Sequence, residues 1–135
     1  MKTDLSGVTA PLCVSPLVAD GLFIRQDGYG KKYFYIDILW IEASANYCDF
    51  YFKDKSRITV ACRLGVVERQ LPDKYLARVH RGFILNLRYV DMVAGNSLRV
   101  GEKWFPIGDY YRKNVLACFN LLDTSRENPK TGNEE

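Results

Sequence analysis

A chain of 135 residues with 47% apolar side chains can bury the core of one domain and leaves no room for a second globular unit. Its net charge of +3 is unevenly spread: residues 22 to 122 carry 16 basic and 10 acidic side chains, and the tail from Asp123 carries 2 and 4. A basic body suits a polyanionic partner. No apolar run reaches membrane-spanning length, and Cys13, Cys48, Cys62 and Cys118 form no Cys-x-x-Cys pair, so a membrane span, a zinc ribbon and a redox dithiol are not expected.

Residues 1–21, with Pro11 and Pro16 and no periodicity, and 123–135, a polar tail, are expected to be loose ends around a domain at 22–122. Leu22 to Arg25 and Tyr33 to Ile36 flank the turn-forming Asp27-Gly28-Tyr29-Gly30, which predicts an opening hairpin. Ile38 to Ile41 follows as an apolar strand. A second hairpin is predicted from Asn46 to Lys53 and Arg57 to Cys62, broken by Lys53-Asp54-Lys55-Ser56. Leu64, Val67 and Leu71 recur at helical spacing until Pro72, which predicts a short amphipathic helix.

Five short strands are expected next, at Tyr75 to Val79, Phe83 to Leu87, Tyr89 to Val93, Ser97 to Val100 and Lys103 to Ile107, with turns at Gly95-Asn96 and Gly101-Glu102. Beyond Asp109, a cap or first-turn acid, Tyr111, Val115, Cys118, Phe119 and Leu122 predict a closing helix. The fold class is therefore mainly β with two short helices.

Chemistry concentrates in Arg78-Val79-His80-Arg81-Gly82-Phe83-Ile84-Leu85-Asn86, where two arginines and the only histidine adjoin an apolar strand pattern. Arginine offers a planar donor fork that fits phosphate or a guanine edge. Upstream lies Asp37-Ile38-Leu39-Trp40-Ile41-Glu42-Ala43-Ser44-Ala45-Asn46-Tyr47, and downstream Pro106-Ile107-Gly108-Asp109-Tyr110-Tyr111-Arg112-Lys113. In order and spacing these three segments resemble the LytTR family over about Leu22 to Leu122.

The resemblance implies an elongated stack of small antiparallel sheets and sequence-specific binding of double-stranded DNA by a bacterial transcription regulator. Loops and strand ends, with no inserted recognition helix, would reach successive major grooves. Carried over by position, the contact regions are Ser44, Asn46, Tyr47 and Cys48; Arg78, His80, Arg81 and Gly82; and Asp109, Arg112 and Lys113. Arg81 is expected to read a guanine, and Arg112 and Lys113 to hold phosphates. Asn46 either reads an adenine or holds its own turn. His80 is expected to orient a loop, Glu42 to pair with a basic residue, and Asn86 to be structural; Trp40, Phe50, Phe52, Phe83 and Trp104 are expected to pack in the core or at its edge. Gly82 departs from the family's serine, and Asp109 stands where a basic residue is common.

The resemblance also implies two-component signalling, pairing at repeated sites and control by a partner protein or by a domain outside this chain; the expected compartment is the cytoplasm, with no cofactor. The competing reading is a β-rich protein-interaction module using the same edge, with little DNA selectivity of its own. With one histidine, no phosphate loop and no clustered metal ligands, no enzyme reaction can be assembled from these residues.

Overall fold

The computed structural model describes residues 17–124. The loose ends expected at 1–21 and 123–135 lie outside the described residues apart from 17–21 and 123–124, as does Cys13. Among the described residues, ten strands and two helices follow one another: β1 (Gly21–Gln26), β2 (Tyr29–Phe34), β3 (Ile38–Ser44), β4 (Tyr47–Phe52), β5 (Arg57–Val60), α1 (Leu64–Arg69), β6 (Leu76–His80), β7 (Phe83–Asn86), β8 (Val90–Ala94), β9 (Ser97–Val100), β10 (Lys103–Pro106) and α2 (Asp109–Leu116). All pairings are antiparallel, in sheets ordered β1-β2, β5-β4-β3-β7-β6 and β10-β9-β8.

The central strands of the five-stranded sheet are buried on both faces. One face meets the β1-β2 hairpin and α1 through Ile24, Ile38, Ile41, Phe50, Leu64, Val67 and Ile84. The other meets the three-stranded sheet and α2 through Val79, Leu85, Leu98, Phe105, Ile107 and Val115. Alternation along β7, with Ile84 on one face and Leu85 on the other, is the period-2 geometry of a strand that serves two cores. The fold is thus the expected stack of antiparallel sheets with two short helices.

Two-residue connections close five hairpins, at Asp27-Gly28, Ala45-Asn46, Arg81-Gly82, Gly95-Asn96 and Gly101-Glu102. Tight hairpin turns favour positive φ. Gly28, Gly95 and Gly101 supply it at no steric cost, at 84°, 51° and 64°. The turn at the end of β3 has no glycine, and Ala45 takes φ 54° instead.

Bulges re-aim two central strands. The register slips between Ile38 and Trp40, so Leu39 and Trp40 both join the core on the α2 side, and Ile41 returns to the α1 side. A second slip, between Arg78 and His80, lets β6 present Arg78 toward α1 and His80 toward α2.

Several boundaries differ from the sequence expectation. The strand expected at Tyr33 to Ile36 begins at Tyr29 and ends at Phe34, because Tyr35–Asp37 forms a 3-10 turn. A second 3-10 turn, Leu87–Tyr89, ends β7 one residue early. Asn86 ties these turns together, donating from Nδ2 to Tyr35 O (3.1 Å) and Ile38 O (2.9 Å) while its Oδ1 accepts from Arg88 N (3.1 Å). The helix expected to reach Leu122 stops at Leu116, and α1 ends at Arg69 rather than Leu71. Trp104 leaves the packing set expected for it, being 44% exposed on β10.

Candidate nucleic-acid interface

The three segments singled out in the sequence meet at one end of the five-stranded sheet. Ala43 N donates to Gly82 O at 2.9 Å, which sets the β3-β4 turn beside the β6-β7 turn. Gly108 N donates to Val79 O at 2.8 Å, and a Cβ on Gly108 would lie 3.6 Å from His80 Cα, so the start of α2 abuts the same turn. Ser44, Asn46 and Tyr47 are exposed on the first turn and Arg81 on the second; Lys113 is exposed and Arg112 half-buried on α2.

The β6-β7 turn is held by its own side chains. His80 Nδ1 accepts from Gly82 N at 3.0 Å, which fixes the neutral ring's hydrogen on Nε2. The ring also packs on Phe83 at 5.6 Å. Arg78 Nε donates to His80 O at 3.0 Å, Nη2 donates to Arg81 O, and Nη1 meets Glu68 Oε1 of α1 at 2.9 Å. Its guanidinium also lies 5.9 Å from the Tyr111 ring centre. Arg81, by contrast, has no ion pair or side-chain hydrogen bond among the described residues.

Behind the turns, Glu42 takes the basic partner expected for it: Lys103 Nζ lies 3.5 Å from Oε1, which also accepts from Trp40 Nε1 at 3.3 Å. Lys103 sits over the rings of Trp40 and Phe105, each 5.1 Å away. Trp40 stacks on Tyr51 at 4.5 Å and meets Phe105 edge-on at 5.0 Å. This aromatic layer braces the end of β3, so the turn it carries projects from a rigid strand.

Cys48 is corrected: its thiol is fully buried among the residues of the α1-side core and is out of a ligand's reach. Burial, with smaller contributions from Cys62 and Asp49, pushes its pKa up to about 11. Asp109 is a first-turn acid and not the cap. Gly108 occupies the N-cap position of α2 and offers no side-chain hydrogen bond. Glu68, Tyr111 and Lys103 were not candidates in the sequence, because each acts through a partner at least ten residues away and no local pattern marks such pairs.

The described residues thus form a mainly β domain with arginine-bearing and asparagine-bearing turns gathered on one edge. The chain belongs to the LytTr DNA-binding domain family, whose model matches residues 32–118. A solved structure of a LytTr DNA-binding domain from Bacillus cereus is similar, with a TM-score of 0.61 and 15% identity, covering 76% of this chain and 98% of that one. At that identity the likeness speaks for the fold. No curated protein matches the chain by sequence. Among the described residues, no helix is long and apolar enough to cross a membrane, and no group of three or more acidic, histidine or cysteine side chains could hold a metal ion.

Proposed function

We propose that this chain binds duplex DNA in a sequence-specific manner, as the DNA-reading part of a bacterial transcription regulator working in the cytoplasm in a two-component signalling system. The observation that carries the reading is the convergence of the β3-β4 turn, the β6-β7 turn and the start of α2 on one edge, within a chain of a DNA-binding family. A major groove about 12 Å wide admits a two-stranded β-ribbon and its turn. Arg81 donates its fork to guanine O6 and N7, and Asn46, with Ser44 and Tyr47, reads from the neighbouring turn. Arg112 and Lys113 hold phosphates and fix register. Arg78 and His80 serve the turn that carries Arg81, since their polar atoms on that side are already bonded within it.

Selection of duplexes from a random pool, repeated at two salt concentrations, tests the reading. Enrichment of a short motif is expected, and Arg81→Ala should weaken binding to it by about 1 to 3 kcal/mol and relax one base position. Lys113→Ala should weaken binding to all sequences and reduce the salt slope by about 1. A folded Arg81→Ala variant with unchanged site preference removes Arg81 from the reading role. Absence of any enriched motif, with retention insensitive to salt, would favour a protein-interaction module.

A further inference from the structure

We infer that Arg78 and Glu68 are positioning residues that preset Arg81 for base reading, so that selectivity depends on an ion pair that itself touches no base. The inference rests on the DNA-reading role proposed for Arg81. Its basis is a bond-by-bond account of the β6-β7 turn. The carbonyls of His80 and Arg81 both accept from the Arg78 guanidinium, Gly82 N donates to His80 Nδ1, and Gly82 O accepts from Ala43 N. Arg81 therefore sits between pinned peptide groups while its own side chain stands exposed.

The clamp is itself anchored. The third nitrogen of the Arg78 fork meets Glu68 on α1 at 2.9 Å, its guanidinium lies near the Tyr111 ring on α2, and its side chain is only 13% exposed. One guanidinium thus joins α1, the turn and α2, and only arginine has a rigid fork that can donate in three directions at once. With those donors engaged and a carboxylate alongside, Arg78 is poorly suited to hold a phosphate.

Bidentate alignment on a base edge tolerates only a fraction of an ångström of error, whereas attraction to phosphates survives a loose geometry. Releasing the turn therefore costs selectivity before it costs general affinity, because the freed backbone must be ordered again at each docking.

The test compares Arg78→Lys, Glu68→Ala and Glu68→Gln with the unaltered chain on two probes, the duplex enriched from the random pool and a scrambled duplex, at two salt concentrations. Backbone 15N relaxation of Arg81 and Gly82 is measured without DNA. Arg78→Lys keeps the charge but loses the fork; it and Glu68→Ala are expected to hold scrambled-duplex affinity and salt slope, lose roughly tenfold in preference for the enriched duplex, and mobilise both amides. Glu68→Gln keeps an oxygen acceptor and should remain near the unaltered chain. Full selectivity and a rigid turn in Arg78→Lys overturn the inference. So does a Glu68→Ala variant that binds both duplexes more tightly with selectivity intact, the pattern of a freed phosphate contact. Failure of the unaltered chain to enrich any duplex defeats the reading of Arg81 and the inference together, whereas enrichment with selectivity preserved in Arg78→Lys defeats the inference alone.

Discussion

Asn86→Leu should be among the most damaging single substitutions in this domain. Asn86 has no exposed surface, and both protons of its amide serve the carbonyls of Tyr35 and Ile38, themselves buried residues. Leucine has similar volume, so no large cavity forms, but Ile38 O loses its Asn86 donor at about 1 to 3 kcal/mol, and Tyr35 O, which still accepts from Ile38 N, loses a smaller amount. The Arg88 amide and the Arg88 guanidinium, whose Nη1 donates to the same Oδ1 at 3.4 Å, lose an acceptor at part-buried positions, where water can replace it. Allowing for non-additivity, the expected loss is about 2 to 4 kcal/mol, a large share of the roughly 5 to 15 kcal/mol that holds a domain together. Urea unfolding followed by tryptophan fluorescence should show a lower midpoint with an unchanged slope. A loss under about 1 kcal/mol in Asn86→Leu would refute the reasoning.

Ala45→Gly removes a Cβ from a residue held at φ 54° and should stabilise the fold by about 1 kcal/mol in thermal unfolding, a gain that an unstrained Ala45 would not allow. Gly82→Ser should fold normally, since a Cβ there would meet His80 Nδ1 at an ordinary 3.5 Å, and its hydroxyl should raise affinity for all duplexes by about 1 kcal/mol; a drop in melting temperature would show that the turn has no room. In a Cys13→Ser background, mapping of a thiol reagent at pH 8 should find exposed Cys118 modified first, half-buried Cys62 later and Cys48 only on unfolding; rapid labelling of folded Cys48 would contradict its burial and its raised pKa.

Much of the fold was legible from short windows of sequence. Asp27-Gly28, Gly95-Asn96 and Gly101-Glu102 announced their turns because their φ preferences are properties of the residues themselves. The spacing of Leu64 and Val67 placed α1, and both are buried as the spacing requires. The strand ends were less legible. Tyr33 to Ile36 has the composition of a strand, and the 3-10 turn that interrupts it is bonded to Asn86, 51 residues away from Tyr35.

The candidate site divides along the same line. Its segments were visible in the sequence, because basic residues and a histidine beside an apolar strand are a local pattern. Their separate roles were not. Arg78 and Arg81 are the same residue type three positions apart, and only the bulge in β6 and a carboxylate on α1 turn one into the turn's clamp and leave the other exposed. Cys48 sits beside an exposed turn in the sequence, yet it faces the core because β4 alternates and that face is covered by elements distant in the chain. The sequence alone determined strand period, turn positions and the helical stripe, since these are set by each residue's own conformational preferences and its nearest neighbours. Only the tertiary structure decided which polar groups are already bonded and which remain for a ligand, because hydrogen-bond partners and burial are supplied by parts of the chain that meet only after folding.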